Sequence, residues 1–179
     1  GGPITLPRFG EGGRQPGYNG RNRTLFFFSY EGLRLRVPQP VVRSIVPSIA
    51  TRQAAVPQMR PFLNAYPIPN GQVSANGFAE FNASFSDPST MDATSIRVDH
   101  TVNDNLTVFG RYNYAPSGTT QRGIGNTSLN VLNTSKFRIQ TLTFGVTQII
   151  TPSINNETRA NFSRSEGGSF IELDDFGGA

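Results

Sequence analysis

At 179 residues the chain has the length of one ordinary domain, yet hydrophobic residues make up 36% of it and charged residues 16%, both low for a soluble domain. The low charge excludes a charged helical bundle. With 14 Phe and 5 Tyr the chain is too aromatic to be a charge-rich disordered segment. A β-rich protein with long polar loops remains.

The net charge of +4 is carried almost entirely by arginines, which are scattered along the chain. Nucleic-acid binding requires basic residues clustered on one face, so we expect no nucleic-acid partner. The absence of cysteine excludes disulfides and thiolate metal sites. No apolar run approaches the ~18 residues of a membrane helix. The first residue is not Met and no signal-peptide pattern follows, so we expect an internal fragment of a longer protein.

Taken in chain order, residues 1–23 are rich in Gly, Pro and Arg, which predicts a strand end followed by an irregular connection. Residues 24–36 are aromatic-rich and predict the first full strand. Residues 37–92 predict a very long, proline-bearing loop. Within that loop, apolar residues from Val56 to Tyr66 recur at helical spacing and predict one short helix.

The second half of the chain is more regular. Further strands are predicted at 94–102, 106–115, 135–150 and 154–165. Tight turns at 103–105 and 151–153 join them in pairs, whereas 116–134 is predicted to be a long polar loop. Short turns at one end and long loops at the other are the layout of an outer-membrane β-barrel.

Alternate residues of these strands point to opposite faces of a sheet. The apolar face, predicted to meet lipid, carries Ile96, Val98, Val108, Tyr112, Leu142, Phe144, Val146 and Phe162. The polar face, predicted to line a lumen, carries Arg97, Asp99, Arg111, Asn113, Glu157 and Arg159. Because buried charges need partners, we expect an ion pair between Asp99 and Arg111 across the first hairpin.

A soluble antiparallel sandwich also has strands with one wet face. Two features favour the membrane barrel instead. The predicted strands are much longer than the ~5–6 residues usual in soluble sheets. Small residues such as Gly110 and Ala160 also interrupt the apolar faces, which suits contact with lipid better than a close-packed core.

Little in the sequence points to catalysis. The single histidine, His100, lies on the apolar face of its strand, and one histidine without cysteine cannot build a multi-histidine zinc site. We expect it to be a hydrogen-bonded or interfacial residue. No nucleophile or phosphate-binding motif is present. We therefore expect no enzymatic activity, no cofactor and no metal site.

The stretch Gly1-Gly2-Pro3-Ile4, followed by Arg23-Thr24-Leu25-Phe26-Phe27-Phe28-Ser29-Tyr30-Glu31-Gly32-Leu33-Arg34, resembles the large TonB-dependent receptors of the Oar-like, carboxypeptidase-regulatory-domain type. Three later stretches are similar to the same family, at 62–70, at 97–100 with 106–112, and at 151–157. Residues 5–23 depart from it, because the connection there is longer than the short charged turn usual in the family.

The resemblance implies an all-β, antiparallel transmembrane barrel of about 22 strands in the bacterial outer membrane. Residues 1–179 would be a partial barrel of about five full strands, and a plug and N-terminal domain would precede them. The implied activity is energy-coupled uptake of a large scarce nutrient, namely a siderophore, glycan or peptide. Strand parity then places 103–105 and 151–153 on the periplasmic side.

The implied partners are outer-membrane lipid, a TonB-type energising complex reached through the N-terminal part, and a nutrient ligand that the sequence does not identify. An outer-membrane or cell-surface adhesion barrel without transport is the main alternative. A soluble secreted β-sandwich that acts as a binding module is the less favoured one.

Overall fold

The structure is a computed structural model that describes residues 1–7 and 17–179. The middle of the predicted 5–23 connection lies outside the described residues. Its two ends are held side by side: Thr5 forms an isolated antiparallel bridge with Asn19, and the Leu6 amide donates to the Tyr18 carbonyl at 2.9 Å.

The described chain forms one antiparallel sheet of six strands arranged in chain order. The prediction of an all-β antiparallel fold is therefore confirmed. The elements are β1 (Gly2–Pro3), β2 (Thr24–Pro47), α1 (Ile49–Ala54), α2 (Arg60–Asn64), β3 (Phe78–Asn103), β4 (Leu106–Arg122), β5 (Val131–Thr151) and β6 (Ile154–Leu173).

The chain divides into two compact units. The turn unit contains the tight β3–β4 and β5–β6 turns and comprises Gly1–Gly32, Met91–Pro116 and Phe137–Glu166. The loop unit contains both helices and comprises Leu33–Thr90, Ser117–Lys136 and Gly167–Ala179.

The turn unit consists of a single sheet layer. In it, Leu142 and Phe144 are 53% and 51% exposed, and Val146 is half-buried. A β-sandwich would bury such residues between two sheets about 10 Å apart. Among the described residues, the buried hydrophobic side chains all belong to the loop unit.

The loop unit has a small core of its own. Val46, Phe81 and Leu129 are buried together. The ring of Phe176 stands edge-on to Phe81 at 6.1 Å and to Phe85 at 6.2 Å, an arrangement that aromatic quadrupoles favour. This core anchors the chain end near Phe176 to β2 and β3.

The strands are longer than predicted, so the predicted loops 37–92 and 116–134 are wrong at their ends. Residues 37–47 and 78–92 continue β2 and β3, and 123–130 alone of the second loop lies outside the strands. Residues 117–122 are polar on both faces, and residues 37–47 carry three prolines and apolar residues on both faces, so neither stretch shows the alternation by which a half-buried strand is recognised.

The prolines of β2 are a second reason why its length was not predicted. Pro38 and Pro40 both lie within the strand. Residues two apart in a strand direct their N–H positions to the same side. Even-numbered residues of β2 face the β1 side, since the Ile4 amide donates to the Thr24 carbonyl. In the described sheet β1 pairs only with Leu25 and Phe26, so the positions where Pro38 and Pro40 lack an N–H lie on a free edge, where proline is tolerated.

The predicted helix at 56–66 is represented by α2, which is shorter. Helix α1 was not predicted, because six residues are too few to show a helical period. It is capped by Ser48, whose hydroxyl accepts from the Thr51 amide at 3.2 Å. Neither helix of the described chain has the length and apolar character that crossing a membrane requires.

Candidate functional site

The first candidate site is the polar face of the turn unit. There Arg97 donates from Nε to Asp99 Oδ2 at 2.8 Å and from Nη2 to Asp99 Oδ1 at 2.6 Å. Arg111 Nε donates instead to Ser95 Oγ at 3.2 Å and to Asn113 Oδ1 at 3.1 Å.

The predicted ion pair between Asp99 and Arg111 is therefore wrong. Arg97 lies two residues from Asp99 on the same face of β3, and its planar guanidinium meets both carboxylate oxygens at once. Arg111 is left to neutral acceptors on its own and the neighbouring strand.

An aromatic ring joins two of the predicted lumen-lining arginines. The guanidinium carbon of Arg97 lies 4.0 Å from the centroid of the Phe109 ring, and that of Arg159 lies 5.9 Å from it. Both distances fall within the range of cation–π attraction. β3 and β6 thereby contribute to one contact centred on β4.

The Phe109 ring lies over Gly145 of β5. A Cβ added at Gly145 would stand 2.1 Å from Phe109 Cε1, so the ring occupies the space that a side chain would fill. We call Arg97, Phe109, Gly145 and Arg159 the Phe109 cluster. The sequence signal for this packing is an aromatic residue and a glycine among polar residues of the same face on neighbouring strands.

The last two predicted lumen-lining residues pair with each other, because Arg159 Nε donates to Glu157 Oε1 at 2.7 Å. These contacts show that the charges of this face are satisfied within the face itself. The assignment of the face to a lumen stays a prediction.

Residues of the predicted lipid face are largely uncovered. Exposed members are Ile96, Tyr112, Leu142, Phe144 and Phe162, and half-buried members are Val98, Val108 and Val146. Extended exposed apolar surfaces mark interaction sites or membrane contact. The assignment of these residues to lipid likewise stays a prediction.

His100 has a hydrogen-bond partner, as expected. Its Nδ1 lies 2.7 Å from Thr24 Oγ1, and the same hydroxyl contacts that of Tyr18. The side chain thus helps to hold β2, β3 and the end of the 5–23 connection together.

In the loop unit, a buried arginine organises the long connection between β2 and β3. Arg52 is 7% exposed and donates to three carbonyl oxygens: Nε to Pro47 at 3.1 Å, Nη1 to Tyr66 at 3.0 Å and Nη2 to Pro67 at 2.6 Å. Burial lowers the pKa of the Arg52 guanidinium from its ordinary value. These bonds fix the two ends of the helical segment to each other.

A second arginine holds the C-terminal part of the loop unit. Arg122 donates from Nη1 to Asp174 Oδ1 at 2.8 Å and from Nη2 to Oδ2 at 2.6 Å, and it stacks at 4.1 Å on the ring of Phe176. The hydrogen bond from Arg122 holds the pKa of Asp174 below its ordinary value.

The second candidate site is a cavity of about 1010 Å³ within the loop unit, a volume at the upper end of the range of small-molecule sites. Its wall is mostly apolar and includes Phe62, Tyr66 and Leu173, with Ser128 and Asn130 among its polar residues. No sequence motif marks it, because its wall combines loop and strand residues that only folding brings together.

Two polar atoms at this cavity have unused hydrogen-bonding capacity. Asn130 Nδ2 donates to the Ala65 carbonyl at 2.6 Å. In the described structure, Asn130 Oδ1 and Ser128 Oγ are buried without a partner, which is unusual for native polar groups. The cavity therefore combines an apolar wall with unsatisfied acceptors beside it.

A single antiparallel layer with one apolar and one polar face is the arrangement found in the wall of a membrane β-barrel. The family model described as outer membrane beta barrel domain matches residues 54–178. The chain belongs to this family, and its location is the bacterial outer membrane. No curated protein and no solved structure shows significant similarity to it.

Proposed function

We propose that this chain is part of the barrel of a TonB-dependent outer-membrane transporter, which takes up a large scarce nutrient with energy from an inner-membrane complex. The observation that carries the proposal is the polar face of the turn unit. Its charged residues are exposed or half-buried, and each is hydrogen-bonded to a neighbour on the same face, as Arg159 is to Glu157. Such a face requires a wide, wet lumen, because narrow barrels fill their interior with packed side chains.

The family resemblance supports the transporter over other wide barrels. The four motif regions occur in the family's order along residues 1–165. The implied partners are outer-membrane lipid around the apolar face and a TonB-type complex reached through an N-terminal part. We assign no enzymatic activity to the chain.

The cavity of the loop unit is the proposed first contact for the nutrient. A mostly apolar wall with a few polar groups is typical of sites that bind small molecules. Phe62 is exposed and lines the cavity, so a ligand would meet it early. The outer position of this unit follows from the long connections it contains, which in outer-membrane barrels face the exterior.

Uptake by cells that produce the full-length protein tests the proposal. We expect accumulation of one member of a panel of labelled ferric siderophores, oligosaccharides and peptides, and loss of that accumulation when a protonophore is added or TonB is deleted. Phe62→Arg should weaken uptake mainly by raising the nutrient concentration at which uptake is half-maximal. Surface binding of cells or proteins without any energy-dependent uptake would support the adhesion barrel and contradict the transporter.

A further inference from the structure

Three charged residues form an exposed cluster on β5 and β6 of the turn unit. Arg138 Nη1 lies 3.5 Å from Glu166 Oε2, and Arg164 contacts the other oxygen of the same carboxylate. All three side chains are exposed. We call them the Arg138 cluster. Two guanidinium groups share one carboxylate, so the cluster has a net positive charge.

The register of β5 and β6 places this cluster opposite the polar face. Thr143 Oγ1 donates to Asn161 Oδ1 at 2.9 Å, which shows these two residues as cross-strand partners. Five residues further along this antiparallel pair, Arg138 lies opposite Glu166, in agreement with their contact. Because Arg138 and Thr143 are an odd number of residues apart, they point to opposite faces.

The cluster consequently shares its face with Leu142 and Phe162, which are both exposed. In the same register these two residues are the last apolar pair before the cluster. Arg138 lies four residues beyond Leu142, about 13 Å along the strand, and less along the membrane normal because barrel strands tilt. With the apolar band in hydrocarbon, a long arginine side chain at this position meets the headgroup layer.

The leaflet follows from the turns. The tight turn between β5 and β6 lies at the other end of the apolar band, and tight turns of outer-membrane barrels face the periplasm. The Arg138 cluster then meets the outer leaflet, whose glycolipid carries phosphate groups on its sugar headgroup. Guanidinium groups bind phosphate oxygens bidentately.

We infer that Arg138 and Arg164 bind a phosphate of a phosphorylated glycolipid in the outer leaflet, with Phe162 against its acyl chains. Glu166 orients the two guanidinium groups in the absence of lipid. Exposed ion pairs contribute little stability, so phosphate replaces the carboxylate at small cost. The inference rests on membership of the outer-membrane barrel family and is independent of transport.

Native mass spectrometry of the full-length protein in detergent tests this site with bis-phosphorylated lipid A as the probe. Arg138→Gln combined with Arg164→Gln should weaken binding about fivefold for each arginine, or about 25-fold together. The same glycolipid without phosphate should bind equally to both proteins. The matched control, Arg21→Gln with Arg23→Gln, removes two exposed arginines before β2 and should leave binding unchanged.

Glu166→Gln provides a readout that a merely structural ion pair would not change. Removing the carboxylate frees both guanidinium groups, so this variant should bind lipid A more tightly than the wild type. Equal binding by the wild type and the double-glutamine variant would overturn the inference, as would Glu166→Gln without a gain. The inference would also be overturned if the double-glutamine variant lost as much binding to the phosphate-free lipid as to lipid A.

Discussion

At Gly145 the absence of a side chain determines how the polar face packs. Gly145→Ala would place a methyl group within the Phe109 ring, since the ideal Cβ lies 2.1 Å from Cε1. The ring must then leave its position between Arg97 and Arg159. We expect a loss of about 1–3 kcal/mol in the free energy of unfolding, measured by urea unfolding of the full-length protein in lipid vesicles.

The control for this change is Gly110→Ala on β4, because nothing lies within 4 Å of the Cβ added there. It should change the free energy of unfolding by less than about 0.5 kcal/mol. Combining Gly145→Ala with Phe109→Leu should recover part of the loss. Equal effects of the two glycine substitutions would contradict the close packing of Phe109 on β5.

Arg52 tests how the long connection is held. Arg52→Met leaves three carbonyl oxygens without their donor in a buried position, at a cost of about 1–3 kcal/mol for each group that water does not reach. Thermolysin cleavage near Phe62 in the otherwise folded protein should accelerate strongly. Arg60→Met is the matched control, because Arg60 is exposed and donates to two carbonyl oxygens of the same segment. Similar cleavage rates in the two variants would argue against Arg52 as the organising residue.

The ion pair of Asp174 and Arg122 predicts a pH dependence of the loop unit. The pKa of Asp174 is lower in the folded protein than in the unfolded chain, where a carboxyl of this type titrates near about 3.9. The contribution of Asp174 to stability is thus present above that pH and is lost as the pH falls through the folded value. We expect the protection factor of the Phe176 amide, which is the exchange rate of the unfolded chain at the same pH divided by the observed rate, to fall as the medium becomes more acidic than about pH 4; this amide donates to Asp174 Oδ1 at 3.2 Å.

Asp174→Asn should show the lower protection factor already at neutral pH and should lack the acid-dependent change. The neighbouring substitution Asp175→Asn should retain the wild-type profile. A profile of Asp174→Asn that matches the wild type would show that the carboxylate does not stabilise this part of the unit.

At the level of strands, the two faces should respond in opposite ways to the same charge. Phe144→Arg puts a guanidinium on the apolar face, where arginine near the middle of the bilayer costs about 2–4 kcal/mol. Thr143→Arg places the same group one residue away on the polar face and should cost far less. Folding of the full-length protein into vesicles, followed by gel mobility, measures both. Equal losses would contradict the assignment of the faces.

The sequence predicted the two hairpins and their tight turns because period-2 alternation and turn residues are local signals. The long strand ends were missed, since Ser117 to Arg122 is polar on both faces and resembles a loop until β5 is paired beside it. The predicted ion pair between Asp99 and Arg111 was wrong for a related reason. Side-chain partners depend on rotamers, and Arg97 on the same strand reaches the carboxylate first.

At the scale of the molecule, some of the surfaces proposed to be functional can be predicted from local sequence patterns and others cannot. The apolar face could be read from the sequence because every second residue contributes to it. The cavity of the loop unit could not, because residues as distant as Val42 and Leu173 form its wall. The Phe109 cluster likewise takes residues from four strands.

In the proposed barrel, one face of the turn unit meets hydrocarbon and the other meets a wet lumen. To test this, a nitroxide label is placed in turn at Leu142, Thr143, Phe144, Val146 and Thr147 of the full-length protein in bilayers; Gly145 is left out because Phe109 lies over it. We predict that accessibility to oxygen peaks at 142, 144 and 146, whereas accessibility to a water-soluble relaxation agent peaks at 143 and 147. Labels that are shielded from both reagents at 142, 144 and 146 would contradict the membrane barrel, because those side chains would then be packed inside protein.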